Sequence, residues 1–367
     1  MPSTIILQAP FLCFDSVVYV ELAHNQPSIL LRVKDYTMRQ TMLVSSVAES
    51  ARNTDPKLLH PFDLVVTKCS VWVTARGNST VNEYSRSGCL KSSLSVPTPT
   101  GIATGFTHTA HTDKCGDKCG NKCEHAESSS QHRLTHKCPV IYIASANGNV
   151  YTNSTVMSGS GQQSTATPMP YITVTGVVAG LAYHKGKLYV AAHDAGYVGV
   201  YDTCGTVTNM VSNSTAMRTP ELLLRDEPLN SVGYKPYGLR CLDGKIYITY
   251  TNMSTRQGSG YVSVYDPSNC KCGLKRIINR DNLSIPYGLF MTGDDLNVGN
   301  YGSGYISVFT HGHKYSHNVQ NEHGGDVVTD GIMGIARACE DGDRDEWYFV
   351  QASDAGRIGS LGIMTLS

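Results

Sequence analysis

Hydrophobic and polar positions alternate along this chain in short runs that are bounded by glycine, asparagine or aspartate. Residues 180–202 show the pattern in full: a strand, a Lys-Gly turn, a second strand, an Asp-Ala-Gly turn and a third strand that ends in Tyr-Asp. Alternation with a period of two is typical of β-strands, and the helical period of 3.6 is nearly absent. The pattern therefore predicts an all-β protein.

The same three-strand phrase recurs along the chain. It opens with Pro-Tyr-Gly-Leu at 236–239 and at 286–289, and looser copies begin at 61, 99 and 331. Repeats of this kind predict a six-bladed β-propeller with blades starting near 62, 99, 180, 236, 286 and 332. A two-domain β-sandwich is the alternative, although a sandwich would not repeat one phrase.

The repeats also predict the domain boundaries. Residues 36–367 form the propeller, and the strand-like segment 36–44 is expected to close the ring as the outer strand of the sixth blade. Residues 1–35 form an N-terminal extension, whose strand-like stretches at 11–22 and 29–33 either cap the ring or contact a partner. A Cys/His-rich insertion occupies residues 106–139 within the second blade.

Composition narrows the function classes. Charged residues make up 16% of the chain, against roughly 25% in an average globular protein. Thirty basic and thirty acidic residues cancel, so a basic footprint for nucleic acid is missing. The sequence contains no apolar run long enough to span a membrane, and its N-terminus is a poor secretory signal. The compartment stays open, with a virion, a surface layer and the cytoplasm as alternatives.

Five Asn-x-Ser/Thr sequons are present, about as many as chance supplies in a chain so rich in Ser and Thr. Their asparagines are Asn78, Asn153, Asn213, Asn252 and Asn282.

Several of these phrases resemble an uncharacterised family of NHL-repeat-like six-bladed propellers, found mostly as exported bacterial proteins. The resemblance rests on residues 43–46, 53–64, 71–74, 99–102, 180–182, 234–239, 296–305 and 330–335. It covers roughly residues 40–366 apart from the insertion. It implies the fold and implies no activity, because none is assigned to the family.

The chain departs from this family at three points. The family usually has Asn-Pro-Trp-Gly where this chain has His60, Pro61, Phe62 and Asp63. The family also has a tryptophan in the phrase that reads Gly-Ile-Met-Gly here, near residue 333. Its members usually follow an export signal, and the N-terminus of this chain is a poor one.

The loop after the second strand of each blade is expected to lie on one face of the ring, where ligands of propellers bind. These loops predict a polar ligand-binding ring for a sugar, a peptide loop or a cation. Its members are Arg76, Asn147, His193, Asp194, Tyr250, Asn300, Tyr301 and Asp354, with Asn78, Asn252 and Gln351 beside them. The structural alternative is that Asn, Asp and Gly stand there because turns favour them.

Catalysis is the minority interpretation. Metal-dependent propeller hydrolases need several oxygen ligands in the channel, and the predicted inner strands are poor in acids. His193 and Asp194 are the one adjacent acid–base pair in the ring, and they are the candidates for a hydrolase or lyase. No nucleophile elbow, phosphate loop or zinc-protease motif is present.

The insertion carries the densest set of metal-binding residue types. Thiolate and imidazole are the ligands of tetrahedral zinc, and the flanking lysines favour thiolate. The predicted ligands of a structural zinc ion are Cys115, Cys119, Cys123, His125, His136 and Cys138. Disulfides, with Cys89 as an outside partner, and a loop of free thiols are the alternatives.

The remaining cysteines and histidines receive structural interpretations. Cys69, Cys204, Cys241 and Cys339 are expected to be small core residues at strand ends. Cys270 and Cys272 are a candidate for a weak second thiol site, and His311, His313, His317 and His323 are expected in a solvated loop.

Together these observations predict a non-enzymatic binding and assembly module. A protein partner or self-assembly is expected, as in a surface layer or a virus particle, and a glycan or a small molecule is the other ligand class. The alternative is a metal-dependent hydrolase or lyase that uses the blade loops.

Overall fold

The computed structural model describes residues 37–67, 69–96, 103–108, 141–152, 170–203, 219–253, 259–280, 282–337, 346–353 and 358–366. These residues confirm the six-bladed propeller: six sheets, each built on four antiparallel strands, surround one axis, and their inner strands contact one another in a closed ring. The two predicted segments 1–35 and 109–139 lie outside the described residues, so those parts of the domain prediction stay predictions.

The blades follow one another in chain order after two strands that belong to the end of the ring. Those two strands are β1 (Thr37–Ser45) and β2 (Asn53–Thr54). The first blade consists of β3 (Pro61–Val66), β4 (Ser70–Ala75), β5 (Thr80–Ser85) and β6 (Leu90–Ser95). The second consists of β7 (Ala103–His108), β8 (Ile141–Ser145), β9 (Asn149–Thr152) and β10 (Ile172–Thr173). The third consists of β11 (Val178–His184), β12 (Lys187–Ala192), β13 (Tyr197–Asp202) and β14 (Leu222–Leu224).

The second half of the ring repeats this arrangement. The fourth blade consists of β15 (Lys235–Leu242), β16 (Lys245–Thr251), β17 (Gly260–Tyr265) and β18 (Leu274–Asn279). The fifth consists of β19 (Pro286–Thr292), β20 (Asp295–Asn300), β21 (Ile306–Phe309) and β22 (Tyr315–Asn318), followed by the short β23 (Gln320–Asn321). The sixth consists of β24 (Ile332–Arg337), β25 (Glu346–Ser353) and β26 (Ile358–Leu366), with β1 as its outer strand.

The predicted ring closure is confirmed. Strand β1 pairs antiparallel with β26, from Met38 opposite Leu366 to Ser45 opposite Ser360. Because β26 ends the chain's last blade, this pairing completes the sheet with a strand from the other end of the sequence.

The second blade begins later than predicted. Its inner strand starts at Ala103, four residues after the predicted start at Pro99, and it reaches His108, inside the predicted insertion. The cause is a repeated Thr-Gly pair at 100–101 and 104–105: pairing of Phe106 with Ile143 selects the second copy.

Helical structure is scarce in the described residues. Helix α1 (Glu227–Ser231) is one short turn, and the side chain of Asp226 caps it by accepting from the Leu229 amide. A 3₁₀-helix spans Pro267–Cys272. No described helix has the length and apolar character needed to cross a bilayer.

The repeated glycine lets neighbouring inner strands approach closely. A Cβ added at Gly238 would lie 2.2 Å from the carbonyl oxygen of Tyr287 in the next blade. The equivalent glycines of the third, fifth and sixth blades meet the next inner strand in the same way, and they are Gly180, Gly288 and Gly334. The first blade has Asp63 at this position, which places a carboxylate where the other blades have no side chain.

The two ends of the ring carry different connections. We call the end with the turns between second and third strands the upper face, and the end with the connections between first and second strands the lower face. Antiparallel pairing within each blade puts the described members of the predicted ligand ring toward the upper face, and the paired strand ends His108 and Ile141 at the lower face.

Candidate functional site

Three aromatic rings close the central channel near the upper face. Phe62 of the first blade contacts Tyr287 of the fifth blade, with ring centroids 5.0 Å apart, and Tyr237 of the fourth blade, 6.0 Å away. Tyr237 and Tyr287 also meet, at 5.1 Å. All three pairs are edge-to-face, which is the favoured geometry for aromatic rings. The axis at this level is therefore filled by side chains.

An ion pair lies beside these rings. Nη2 of Arg240 donates to Oδ1 of Asp63 at 2.8 Å, and the side chain of Asp63 is 2% exposed. The hydroxyl of Tyr287 lies 3.1 Å from Oδ2 of Asp63 and 3.2 Å from the carbonyl oxygen of Ala179, and it donates its hydrogen bond to these oxygens. Three blades thus meet at one buried carboxylate, and the Tyr287 hydroxyl links it to a fourth. Because that carboxylate is already paired, it does not offer a cation an open ligand position.

Above the aromatic rings, the channel mouth carries Arg76, His193 and Tyr301. The Arg76 guanidinium carbon lies 5.6 Å from the centroid of the Phe62 ring, within the range of a cation–π contact. Burial raises the pKa of Tyr237 above its usual value, nearby Arg76 lowers it, and nearby Tyr301 raises it. The His193 ring lies 5.6 Å from the Tyr237 ring, and Tyr301 packs against the core cluster that contains Tyr237.

His193 is held with a defined tautomer. Its Nδ1 lies 3.0 Å from the carbonyl oxygen of Pro236, so Nδ1 carries the proton and Nε2 keeps the lone pair in the neutral ring. Burial lowers the pKa of His193, partly offset by the Pro236 hydrogen bond and the Asp194 charge. The imidazole is therefore neutral near neutral pH.

Asp194 does not form a catalytic dyad with His193 in the described structure. Its Oδ2 accepts a hydrogen bond from the backbone amide of Val177 at 3.0 Å, while His193 bonds to Pro236. Asp194 instead packs against Gly176, which has a φ of 83° and cannot readily accept a side chain. Its visible role is to fix the connection between the second and third blades.

Two predicted ligand residues are buried away from the mouth. Tyr250 is 1% exposed and packs between the third and fourth blades with Ile246 and Ile248. Asn300 is fully buried, and its amide bonds to backbone and side-chain groups that include the Ser284 amide and the Ser307 hydroxyl. Both residues lie in strands, where alternate side chains enter the space between blades.

The other predicted positions either form hydrogen bonds within the protein or lie outside the described residues. The side chain of Asn147 accepts from the Asn149 amide at 3.2 Å, as an asparagine of a turn does. The Asn78 amide donates to the Lys57 carbonyl at 2.7 Å, and that of Asn252 lies 3.5 Å from the Val232 carbonyl. Asp354 lies outside the described residues.

A cavity of about 590 Å³ opens on the upper face, beside the channel mouth. Tyr301 belongs both to its wall and to the mouth, so the two features are continuous. The lining residues are Met253, Ile285, Tyr301, Gly302, Asp330, Gly331, Ala352 and Ser353. Apolar side chains and one acid therefore share the cavity.

Three large apolar side chains are exposed on connections of the upper face. Val232 and Val328 are each 57% exposed and Met253 is 51% exposed, which are the highest values among large hydrophobic residues in the described ranges. Val232 lies before β15, Met253 after β16 and Val328 before β24. Of the three, Met253 lines the cavity, and an exposed apolar group at a cavity is a candidate contact for a partner.

The sequence analysis does not predict Tyr237 at the closed channel, or Met253 and Asp330 at the cavity. Tyr237 belongs to the repeated Pro-Tyr-Gly-Leu phrase, which marks blade starts and gives no single member a role of its own. Met253 and Asp330 come from connections without a repeated pattern, so no local signal marked them.

The six predicted zinc ligands, Cys115, Cys119, Cys123, His125, His136 and Cys138, lie outside the described residues. Within the ranges that the structure covers, no group of three or more His, Cys, Asp or Glu could hold a metal ion.

Two cysteine predictions need correction. Cys69 is not a free core residue, because the structure has both Cys69 and Cys89 in disulfide bonds. Cys241 is half-buried rather than a core residue, and its Sγ lies 3.4 Å from Nδ1 of His184. Burial raises the pKa of the Cys241 thiol and lowers that of His184.

The histidine-rich region is not one solvated loop. His311 and His313 lie in the turn between β21 and β22, whereas His317 belongs to strand β22 itself. His323 follows β23 and is exposed.

Comparison with known proteins supports the fold and leaves the chemistry open. No protein-family model matches the sequence, so the resemblance to the NHL-like family stays a prediction. An uncharacterized protein of Acanthamoeba polyphaga mimivirus is 28% identical over 121 residues, a match that spans 29% of this chain and 22% of the viral protein.

Solved structures with a similar fold include a lyase and a WD40 β-propeller domain. Virginiamycin B lyase from Staphylococcus aureus is 11% identical, with a TM-score of 0.50, and the match covers 90% of this chain and 100% of the lyase. The WD40 β-propeller domain of Doa1 is 10% identical over 88% of this chain and 96% of that domain, with a TM-score of 0.49. At such identities, the likeness to the lyase shows the propeller fold alone.

Proposed function

We propose that this chain is a non-enzymatic binding and assembly module that holds a protein partner on its upper face. The observation that carries the proposal is the pairing of a closed channel with an open cavity that both apolar and polar residues line. Phe62, Tyr237 and Tyr287 fill the axis, whereas Met253 stands exposed at the cavity, and Val232 and Val328 are exposed on connections of the same face. A protein segment with an apolar side chain fits this surface, since it would cover side chains that water solvates poorly.

Composition supports an assembly role. The net charge is zero, so copies of the chain do not repel one another through a net field. The viral relative is consistent with a component of a virus particle, and a surface layer is the other setting that we propose. Residues 1–35 are proposed as a second contact with copies or partners.

A site-specific photo-crosslinker at Met253 tests the upper face. We expect it to capture one defined protein, or a second copy of the chain, in cells that express the full chain. The control is the same crosslinker at Leu90, which is 50% exposed on the first blade's outer strand. Equal capture at both positions, or capture at neither, contradicts the proposal.

Sedimentation velocity shows whether the occupant of the upper face is a second copy of the chain or a different protein. Self-assembly predicts a concentration-dependent sedimentation coefficient that Met253→Asp abolishes, because a carboxylate in an apolar contact must be desolvated. A monomer in both forms identifies a different protein as the occupant. Removal of residues 1–35 tests the extension separately.

A lyase or hydrolase activity is the second candidate. The observation that favours it is the neutral His193 at the mouth, whose Nε2 lone pair can accept a proton. A lactone and glycan panel should then show turnover that His193→Ala removes. Inertness of the unmodified chain rejects this candidate.

We also propose that the insertion binds a structural zinc ion through Cys115, Cys119, Cys123, His125, His136 and Cys138. The support is the donor chemistry of the sequence, in which thiols and imidazoles are crowded. Metal analysis of the purified chain should find zinc, and Cys115→Ser should lower its content. Unchanged content rejects a role for this cysteine.

A further inference from the structure

A thiol and an imidazole from neighbouring blades meet on the lower face. Cys241 lies near the end of β15 in the fourth blade, and His184 ends β11 in the third blade. The Sγ and Nδ1 atoms are 3.4 Å apart, and both side chains are partly exposed. This pair belongs neither to the upper-face site nor to the predicted zinc insertion.

Tight turns fix the positions of both donors. The turn after His184 has positive φ angles at Lys185 and Gly186, 44° and 78°. The turn beyond Cys241 has 47° and 74° at Asp243 and Gly244. Two successive residues with positive φ are typical of two-residue hairpin turns, which hold their strand ends in one geometry. The donors therefore need little rearrangement to act together.

Their separation fits a tetrahedral metal ion. Zinc bonds to sulfur at about 2.3 Å and to imidazole nitrogen at about 2.0 Å, so a tetrahedral angle places the two donors about 3.5 Å apart. The observed distance of 3.4 Å between Sγ of Cys241 and Nδ1 of His184 matches this separation. We propose that Cys241 and His184 form a two-donor site for zinc or a similar divalent ion on the lower face.

Binding exchanges a proton for the metal. The Cys241 thiol loses its proton to solvent, a sulfur–metal bond forms, and the neutral His184 supplies its Nδ1 lone pair. The described residues add no third protein donor at this point, so water completes the coordination. With two protein donors, the ion keeps positions that water or a further ligand can occupy.

Cobalt(II) is the probe that tests the pair, because thiolate coordination gives a sulfur-to-cobalt charge-transfer band. The experiment uses the full chain with Cys115, Cys119, Cys123 and Cys138 changed to serine, which removes the thiols of the insertion. In this background we expect one bound Co²⁺ per chain with the charge-transfer band. Both Cys241→Ser and His184→Gln should lose that ion and that band.

A matched control is available on the same face. His311→Gln removes another turn histidine and should retain the ion and the band. Circular dichroism of each variant checks folding, and serine is nearly isosteric with cysteine. Retention of the band in Cys241→Ser, or full retention of affinity in His184→Gln, overturns the proposal. Absence of bound Co²⁺ from the background chain also overturns it.

Discussion

Asp63 in the first blade and Arg240 in the fourth blade form a 2.8 Å ion pair across the axis of the propeller. These blades stand opposite each other in a six-bladed ring, so the pair ties together parts of the chain that share no blade interface. Asp63 occupies the position that glycine fills in the third to sixth blades. Aspartate in place of the repeated glycine thus gives the axis a buried negative charge, and Arg240 neutralises it.

Loss of the cation should destabilise the ring strongly. Arg240→Met leaves the Asp63 carboxylate buried without its charge partner, and we expect a loss of about 3–5 kcal/mol in the free energy of unfolding. Urea denaturation measures it. The double variant Arg240→Met with Asp63→Asn should recover part of the loss, since no unpaired charge remains. Similar losses in the single and double variants would show that packing, not charge, dominates.

The close approach between inner strands should not tolerate a methyl group. Gly238→Ala would bring a Cβ to 2.2 Å from the Tyr287 carbonyl oxygen, and we expect at least about 1–3 kcal/mol of destabilisation from overpacking. Gly312→Ala is the control, because nothing lies within 4 Å of a Cβ there and its φ is not positive. Thermal unfolding compares the two. A Gly238→Ala variant as stable as Gly312→Ala would contradict the geometry.

Ring closure should depend on β1 and not on the residues before it. A chain that starts at residue 36 retains the buried side chains Met38, Leu43 and Val44 and should unfold cooperatively. A chain that starts at residue 46 loses these side chains, at about 1.5–3 kcal/mol each, and leaves β26 unpaired. Circular dichroism and calorimetry distinguish the two. Equal stability would show that β1 is dispensable.

Stability should fall as the pH drops below the ordinary histidine range. The pKa of His193 is lowered by burial, so the unfolded chain takes up this proton first and gains stability relative to the folded chain. The loss begins near pH 6.5 and continues down to the folded-state pKa, at up to about 1.4 kcal/mol per pH unit for one such histidine. Urea denaturation across this range measures it.

The matched variant is His193→Asn, which should weaken the pH dependence. His323→Asn, at an exposed position, should not change it. His60, whose pKa is lowered by burial and by Arg76, contributes in the same direction. A wild-type stability that is constant across this range would contradict the account.

Cys69 and Cys89 should be blocked to alkylation until a reductant is added, because both are disulfide-bonded. Cys241 serves as the control thiol, since it is free. Mass spectrometry of the chain, alkylated with and without reductant, measures the labelling of all three cysteines. Labelling of Cys69 without reductant would contradict the disulfide.

The sequence predicts the fold well because its signal is local and repeated. Alternation, turn residues and the Gly-Leu phrase place most inner strands within about two residues, as at Pro286 and Ile332. The second blade shows the limit. Two Thr-Gly pairs compete there, and only pairing with a strand beyond the insertion decides between them.

The candidate site is less predictable because it depends on contacts between blades. Tyr250 could have been assigned to the core, since it continues the alternation of Ile246 and Ile248 in one strand. The pairing of Asp63 with Arg240 could not, because nothing in either local sequence names a partner across the ring. The same holds for Cys241 and His184, whose meeting depends on how two hairpins pack.

The pairing of β1 with β26 has a consequence for biosynthesis. The strand that seals the propeller leaves the ribosome long before the strand that receives it, so the edge of residues 37–45 that pairs with β26 stays open until translation reaches residue 366. Until then the nascent ring keeps an open seam, and a neighbouring nascent chain can donate its own first strand there. Chain exchange during synthesis is thus the characteristic error that this architecture invites.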